Sequence, residues 1–279
     1  MILESTIKKA SEFLKYNKIP TYALDAQIIL SNIMGVSKEF LILHSNIKIN
    51  EKIQIEYNKA IKRRSNHEPV AYITGKKEFW SENFIVNKST LVPRPETELL
   101  IYKVLKYFKN KKINILDIGT GSGCILLSIL KELKKSRGLG LDISKKAINI
   151  AKINSKNLNL TNRSKFKVFD IKNFNIGKYD LIVSNPPYIA SRDIRSLGPS
   201  ITNFEPLVAL NGGKDGLDLI KKVIYKSSKL LKNDGLLIIE IGYKQYLKVS
   251  RVLAQFNFRE IDKVYDYGDN VRCIISTRV

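Results

Sequence analysis

The segment Asp117-Ile-Gly-Thr-Gly-Ser-Gly-Cys124 places three glycines at alternating positions. It follows a short apolar run, Ile115–Ile118, and precedes a helical apolar pattern that begins at Ile125. This order predicts a strand, a glycine-rich loop and a helix, a unit in which a ligand can approach the backbone at the helix N-terminus. The alternative is a tight turn without a ligand. Each glycine costs conformational entropy on folding, and this cost favours a binding loop.

The glycine spacing excludes a phosphate-binding P-loop. A Walker A loop needs Gly-Lys-Ser/Thr, and no lysine follows Gly123. A G-x-G-x-x-G dinucleotide fingerprint needs glycine at position 124, where Cys124 stands. The loop therefore excludes phosphate transfer by a P-loop, but it does not choose between a nicotinamide dinucleotide and S-adenosylmethionine.

Acidic residues stand at the predicted ends of the next two strands, at Asp142 and Asp170. A carboxylate at the end of the second strand is where folds of this kind bind ribose hydroxyls. Asp142 could also cap the helix predicted to begin near Ser144. Together with the glycine loop, the two acids predict a cofactor that carries a nucleoside.

The tetrapeptide Asn185-Pro186-Pro187-Tyr188 ends the fourth predicted strand. Its prolines stiffen the chain and lack N–H donors, which leaves the carbonyl oxygens of Asn185 and Pro186 as acceptors beside the Asn185 side chain. With the aromatic face of Tyr188, this set of acceptors suits a planar NH₂ group. Fixed acceptors orient such a poorly nucleophilic nitrogen for attack and stabilise the positive charge that develops on it. A simple Pro-Pro turn is the alternative, which the position opposite the glycine loop disfavours.

Short apolar strands alternate with helical stretches from Asn114 onward, which predicts a mostly parallel sheet with helices on both faces. The predicted strands are Ile115–Ile118, Leu139–Ile143, Phe166–Phe169, Leu181–Ser184 and Leu236–Ile241, and the predicted helices are Ile125–Leu133, Lys145–Leu158 and Leu217–Leu231. An antiparallel pair at Glu260–Tyr265 and Arg272–Thr277 is expected to complete the sheet.

Residues 1–75 show only helical spacing, which predicts a small all-α domain whose first helix has Ile7, Ala10, Phe13 and Leu14 on one face. Gly35 is placed to end the second helix. Aromatic and β-branched residues within 76–92 predict a linker with a short hairpin. The α/β domain is expected to occupy residues 93–279.

The 279-residue chain carries 48 Lys and Arg against 26 Asp and Glu, a formal net charge of +22. Such a charge attracts nucleic acids, but abundant Ile, Lys and Asn are also what an A/T-rich genome favours, and we prefer this compositional interpretation.

No apolar run approaches the ~18 residues of a membrane-spanning helix. The first residues fit no signal or transit peptide. The 2 cysteines make no disulfide framework. His44 and His67 have no partners at metal-ligand spacing. We therefore expect a cytoplasmic protein without a metal site.

The glycine loop and Asn-Pro-Pro-Tyr together resemble the class I S-adenosylmethionine-dependent methyltransferases that modify planar nitrogens. Two further segments, Phe84–Glu98 with its Pro-Arg-Pro-Glu-Thr-Glu ending and Phe204–Leu217, resemble the bacterial peptide chain release factor glutamine methyltransferase family (HemK/PrmC). The C-terminal Tyr267-Gly-Asp-Asn-Val-Arg272 belongs to the same resemblance. It implies a Rossmann-like methyltransferase domain with a mostly parallel sheet and an antiparallel C-terminal pair, preceded by a small helical domain that recognises the substrate.

The resemblance also implies the reaction, a methyl transfer from S-adenosylmethionine to the side-chain amide nitrogen (N5) of the glutamine in the Gly-Gly-Gln motif of class 1 release factors. The partner would be this protein substrate, with no membrane and no direct nucleic-acid substrate. The implied cofactor contacts are Gly119, Thr120, Gly121, Ser122 and Gly123 to the methionine portion, Asp142 to the ribose, Asp170 and Ile171 beside the adenine, and Asn185. The implied glutamine contacts are Asn185, Pro186, Pro187 and Tyr188.

One position departs from the family pattern, because the residue after the strand-three acid is often aromatic and is Ile171 here. The nearby pair Asn173-Phe174 is a candidate for the missing aromatic surface. Cys124 is expected to be a packing residue. Arg94 is expected to pair either with the cofactor's carboxylate or with Glu96 or Glu98.

Two other functions fit part of the sequence. An N6-adenine methyltransferase acting on DNA or RNA would hold its exocyclic amine in the same tetrapeptide after base flipping, and the net charge favours it slightly. A nonenzymatic RNA-binding module would bind RNA in a salt-sensitive manner and leave both motifs unexplained. The segments around Pro-Arg-Pro-Glu and Asp-Gly-Leu favour the glutamine substrate.

Overall fold

The computed structural model describes residues 2–266 and 268–279, so Met1 and the Tyr267 of the C-terminal motif lie outside the described residues. Packing contacts divide the chain into two units. The first runs to Lys76 and includes Gly198–Phe204, and the second contains Lys77–Leu197 and Glu205–Val279. The hairpin expected within 76–92 is present as two short paired strands, β1 (Lys76–Phe79) and β2 (Glu82–Ile85).

The first unit is helical. Its helices are α1 (Leu3–Tyr16), α2 (Tyr22–Met34), α3 (Lys38–Leu43), α4 (Glu51–Ser65), α5 (Val70–Thr74) and, from the later segment, α9 (Pro199–Thr202). Gly35 ends α2 with a φ of +67°, as predicted. Leu14 on α1 is buried, whereas Phe13, on the same apolar face, is 41% exposed. Phe13 instead lines a surface groove between α1 and α4.

The second unit is built on a seven-stranded sheet in the order β5-β4-β3-β6-β7-β9-β8. Its strands are β3 (Asn114–Ile118), β4 (Arg137–Asp142), β5 (Ser164–Val168), β6 (Tyr179–Ser184), β7 (Leu231–Glu240), β8 (Phe258–Tyr265) and β9 (Val271–Arg278). The strands from β5 to β7 are parallel, and β9 runs antiparallel to both β7 and β8. The predicted sheet and its antiparallel C-terminal pair are therefore confirmed.

Helices cover both faces of the sheet because neighbouring strand residues point to opposite sides. They are α6 (Glu98–Phe108), α7 (Cys124–Glu132), α8 (Lys145–Asn157), α10 (Asp218–Leu230) and α11 (Tyr246–Gln255). On β3, Ile115 packs with the core beneath α6, α7 and α8, whereas Leu116 packs with the core beneath α10 and α11. The sequence patterns did not predict α6 or α11.

The chain direction across the sheet reverses at β3. On one side β3 pairs with β4, the next strand in the chain, and β5 continues the sheet in that direction. On its other side β3 pairs with β6, which follows β5 in the chain. Open α/β sheets bind ligands in the crevice beyond the carboxyl ends of the strands at such a point. Among the described residues, no helix combines the length and the apolar composition needed to cross a membrane.

Candidate active site

A cavity of about 290 Å³ opens beyond the carboxyl ends of β3, β4 and β6, close to the lower end of the ~300–1,000 Å³ usual for small-molecule sites. Most of the residues predicted for the site contribute to its wall. They are Gly119, Thr120, Gly121, Ser122, Asp142, Asp170, Ile171, Asn185 and Pro187. Three predicted residues, Gly123, Pro186 and Tyr188, are not part of this wall.

The glycines of the loop have two different tasks. Gly119 and Gly121 have φ values of +76° and +56°, and a Cβ built on either would enter open space. Their bare backbone therefore leaves room for a ligand to approach. Gly123 also has a positive φ, +81°, but a Cβ there would meet Leu127 and Ala151 at 3.1 and 3.2 Å. Gly123 thus permits close packing of α7 instead of facing the cavity.

Asp142 binds the glycine loop and remains able to bind a ligand. Its Oδ2 accepts a hydrogen bond from the Gly121 backbone N–H at 2.9 Å, and its Oδ1 accepts one from Ser144 N–H at 2.9 Å. Burial raises the pKa of this carboxyl above its ordinary value. The cap of α8 is Ser144, whose hydroxyl accepts from Ala147 N–H at 3.2 Å. Because a carboxylate oxygen can accept two hydrogen bonds, Asp142 has capacity for a pair of hydroxyl groups.

Asp117 supports the loop from beneath. It is fully buried, and its Oδ2 accepts a hydrogen bond from the Thr120 hydroxyl at 2.6 Å. Its Oδ1 has no partner among the described residues. Burial raises the pKa of Asp117 to about 7.

Phe169 supplies the aromatic surface at the far end of the cavity. Asp170 accepts from the Lys172 backbone N–H at 2.9 Å, and Ile171 is buried in the wall. Phe174 lies behind the wall at 2% exposure and packs edge-to-face on Phe169, with ring centroids 5.5 Å apart. The suggestion that Asn173-Phe174 replaces the missing aromatic residue is therefore wrong, because Phe169 occupies the wall.

The residues of the Asn-Pro-Pro-Tyr tetrapeptide lie partly in the cavity wall and partly in the core. Asn185 and Pro187 line the cavity, whereas Pro186 is buried and Tyr188 packs against the core beneath α10 and α11. Burial raises the pKa of Tyr188 to about 12. Within the described chain, no hydrogen bond ends on the carbonyl oxygens of Asn185 and Pro186, so both keep their capacity to accept one. The carbonyl of Tyr188 accepts from the Gln245 side-chain amide at 2.9 Å.

The glycine-rich part of Phe204–Leu217 packs on the end of the tetrapeptide. A Cβ on Gly212 would lie 2.7 Å from the Pro187 carbonyl oxygen, so no other residue fits there without displacement. A short parallel bridge ties the two segments, with Ile189 N–H donating to the Leu210 carbonyl at 3.2 Å and Gly212 N–H donating to the Ile189 carbonyl at 2.8 Å. This segment therefore fixes the backbone direction of the tetrapeptide.

Arg94 pairs with Glu205, and not with Glu96 or Glu98 as one prediction had it. Its guanidinium donates to the Glu205 carboxylate at 2.7 Å, and that carboxylate is nearly fully buried. Glu98 instead accepts from the Trp80 backbone N–H at 2.8 Å. Arg94 also lines the cavity.

Sequence reasoning missed a buried acid next to Asn185. Glu240, at the end of β7, is 3% exposed and accepts a hydrogen bond from the Thr97 hydroxyl at 2.7 Å. The Asn185 side-chain NH₂ donates to the same Thr97 oxygen at 3.2 Å. Burial raises the pKa of Glu240 to about 7. The available signal was an acid inside the apolar run Leu236–Ile241, at the end of a predicted strand.

Cys124 begins α7 and is buried in the core beside the cavity wall. Burial raises the pKa of its thiol to about 12. The thiol is therefore protonated at neutral pH and poorly suited to act as a nucleophile.

Two sequence families match the chain, one over each part. The family described as "PrmC N-terminal domain" matches residues 5–75, and the family described as "Methyltransferase domain" matches residues 109–266. A crystal structure of a methyltransferase from Pyrococcus furiosus is similar with a TM-score of 0.54 at 18% identity, covering 82% of this chain and 98% of that one. That likeness shows the fold.

Full-length relatives are considerably closer in sequence. The release factor glutamine methyltransferase of Buchnera aphidicola subsp. Schizaphis graminum is 41% identical over 266 residues, which covers 95% of each chain. The protein of the same name from Clostridium acetobutylicum is 38% identical over 282 residues, covering 100% of this chain and 99% of the relative. These relatives confirm the resemblance drawn from the segments Phe84–Glu98 and Phe204–Leu217, and the chain belongs to the release factor glutamine methyltransferase family.

Proposed function

We propose that this protein transfers a methyl group from S-adenosylmethionine to the side-chain amide nitrogen of the glutamine in the Gly-Gly-Gln motif of class 1 release factors, in the cytoplasm. One observation carries the proposal. The glycine loop follows β3 and the Asn-Pro-Pro-Tyr segment follows β6, and these strands are adjacent, with Ile118 paired to Ser184. The cofactor loop and the amide acceptors therefore begin side by side.

The cavity residues fit this cofactor. The open backbone at Gly119 and Gly121 has space for the methionine portion, and Asp142 has acceptor capacity for the ribose hydroxyls. Ile171 and Phe169 give an apolar, partly aromatic surface for adenine, with Asp170 at its edge. When bound, S-adenosylmethionine supplies a methyl group on a sulfonium, which is already activated for displacement.

The protein's contribution to the reaction is orientation and charge stabilisation. The Asn185 Oδ1 and the Pro186 carbonyl oxygen are acceptors for the two N–H bonds of the glutamine amide. Holding both bonds directs the nitrogen lone pair and stabilises the positive charge that develops during attack. No strong base is required, because the amide nitrogen carries a positive charge once it has gained the methyl group, and an amide protonated on nitrogen is a strong acid that gives its extra proton to water.

We infer that Tyr188 acts indirectly. Its ring packs in the core and its carbonyl is fixed by Gln245. These contacts anchor the end of the tetrapeptide and so keep Asn185 and Pro186 in place.

We assign recognition of the release factor to the helical domain, residues 1–75. This assignment is supported by the family match over residues 5–75. A groove of the same domain, lined by Phe13, Lys9 and Lys62 among others, combines apolar and cationic side chains suited to a protein surface.

The experiment that tests the proposed function is methyl transfer from labelled S-adenosylmethionine with three acceptors offered in parallel, a purified class 1 release factor, DNA and RNA. We expect label only in the release factor. Label in nucleic acid would favour the N6-adenine alternative, and salt-sensitive RNA binding without affinity for S-adenosylmethionine would favour the nonenzymatic one.

A further inference from the structure

Three side chains from three elements form one chain of hydrogen bonds that runs from the core to the cavity wall. Glu240 ends β7, Thr97 ends the short 3₁₀ turn Pro95–Thr97, and Asn185 follows β6. The Thr97 hydroxyl lies 2.7 Å from the Glu240 carboxylate and 3.2 Å from the Asn185 side-chain nitrogen. Glu240 and Thr97 are each 3% exposed, so water does not compete for these bonds.

The direction of these bonds is fixed by the Thr97 hydroxyl. A hydroxyl has one proton to donate, and Thr97 donates it to the Glu240 carboxylate. Its lone pairs can then only accept, so Asn185 must turn its NH₂ group toward Thr97. An amide has its nitrogen and oxygen on opposite sides of one planar group. The Asn185 oxygen is therefore the end left for a ligand in the cavity.

This orientation matters because the glutamine amide nitrogen is a donor. If the Asn185 side chain were reversed, its NH₂ group would face the NH₂ group of the substrate. Two donors would then be opposed, and neither would be satisfied in a partly buried site. The orientation of the Asn185 side chain therefore decides how tightly the site binds the glutamine NH₂ group.

We propose that Glu240, acting through Thr97 and through its own hydrogen-bonding interaction with the Asn185 side chain, is a positioning residue that holds this side chain with its oxygen toward the acceptor nitrogen. This inference rests on the proposed function. Burying a charged group is costly unless it is hydrogen-bonded. A role in positioning Asn185 explains why the end of β7 carries a buried carboxyl. Glu240 is not part of the cavity wall, whereas Thr97 lines it next to Asn185.

The test is a double-mutant cycle. Thr97→Val removes the hydroxyl at constant shape, and Thr97→Ser keeps it as the matched control. We expect Thr97→Val to lower kcat by about tenfold to hundredfold, less than the ~10²–10³ for removing a preorganised polar group outright, with unchanged affinity for S-adenosylmethionine. Thr97→Ser retains most of the activity. In an Asn185→Ala background, Thr97→Val should have no further effect, because there is no amide left to orient.

A purely structural role for Thr97 gives a different result. The losses from Thr97→Val and Asn185→Ala would then multiply, and this result, or full activity of Thr97→Val, would overturn the inference. Glu240→Gln gives a second cycle if Thr97→Val does not fold, since a glutamine at 240 can donate to Thr97 as readily as accept. Its loss should likewise vanish in the Asn185→Ala background. Absence of methyl transfer by the unmodified enzyme would instead refute the proposed function.

Discussion

The side chains of Arg94 and Glu205, 111 residues apart in the chain, meet at 2.7 Å beside the cavity. The second Glu205 oxygen accepts from the Val92 backbone N–H at 3.2 Å. One buried carboxylate therefore joins the two segments that carried the family resemblance. Arg94 is held at the cavity wall by this pair, so the two segments build one side of the site together.

Replacing Glu205 separates the effects of its charge and its hydrogen bonds. Glu205→Ala leaves the Val92 N–H without an acceptor and Arg94 without a partner. We expect it to lower the free energy of unfolding by about 1–3 kcal/mol, the scale of a buried donor left unpaired. Glu205→Gln keeps an acceptor and should cost less. Thermal or denaturant unfolding measures both, and equal stability of all three proteins would contradict the interpretation.

Asn185→Ala tests the acceptor role directly. We expect kcat to fall by roughly 10²–10³, the effect of losing a preorganised polar contact to developing charge. Affinity for S-adenosylmethionine, measured by calorimetry, should change little. Full activity of the variant would remove Asn185 from the mechanism.

Asp142→Ala tests the ribose assignment. Loss of a charged acceptor should weaken S-adenosylmethionine binding by about 1–3 kcal/mol. Asp142→Asn is the control, because its one remaining oxygen can still accept from Gly121 or from a hydroxyl group. Calorimetry that finds unchanged affinity for Asp142→Ala would count against this role.

The pH dependence of turnover follows from Glu240. Burial raises the pKa of Glu240 to about 7. The ionised carboxylate can only accept the Thr97 hydrogen bond, whereas the protonated carboxyl can also donate to the Thr97 oxygen. Turnover should therefore fall as the pH drops through about 7 and level off above it. The charged and titratable groups around Glu240 are Glu96, which raises its pKa, Arg272, which lowers it, and the neutral Tyr188, Cys124 and Cys273.

Glu240→Gln is the control for this profile, because Asp117 also has a pKa of about 7. The variant should lose the fall in turnover near pH 7 that Glu240 causes. An unchanged pH profile in Glu240→Gln would assign the titration to another group.

The helical domain is tested with two substrates. Without residues 1–75, the remaining protein should bind S-adenosylmethionine normally and still methylate a short Gly-Gly-Gln peptide. Methylation of the intact release factor should be lost if, as we propose, the domain supplies the docking surface for the folded protein. An unimpaired truncated enzyme on the intact factor would contradict this assignment.

The elements around the cavity were predictable because their signals are local. The glycine loop lies between an apolar strand and a helix, and the acids at 142 and 170 follow short apolar runs. Helices α6 and α11 were missed, although each buries apolar residues such as Leu100 and Val249. Both helices are short, at 11 and 10 residues, so their apolar spacing spans few turns and gives a weak periodic signal.

Contacts between residues far apart in the sequence were not predictable in the same way. The Trp80 backbone binds Glu98, Arg94 binds Glu205, and Thr97 binds Glu240, which is 143 residues away. Each pairing depends on which strand ends become neighbours, and the residue types alone allow several partners. The position of Tyr188 in the core depends likewise on the packing of α10 and α11.

In the proposed reaction, the methyl group goes to one glutamine amide nitrogen. Tandem mass spectrometry of the Gly-Gly-Gln peptide from a release factor, incubated with S-adenosylmethionine with and without this protein, measures this directly. We predict one added methyl group, on the glutamine side-chain nitrogen, only when the protein is present. An unmodified glutamine, or a methyl group on any other residue, would contradict the account.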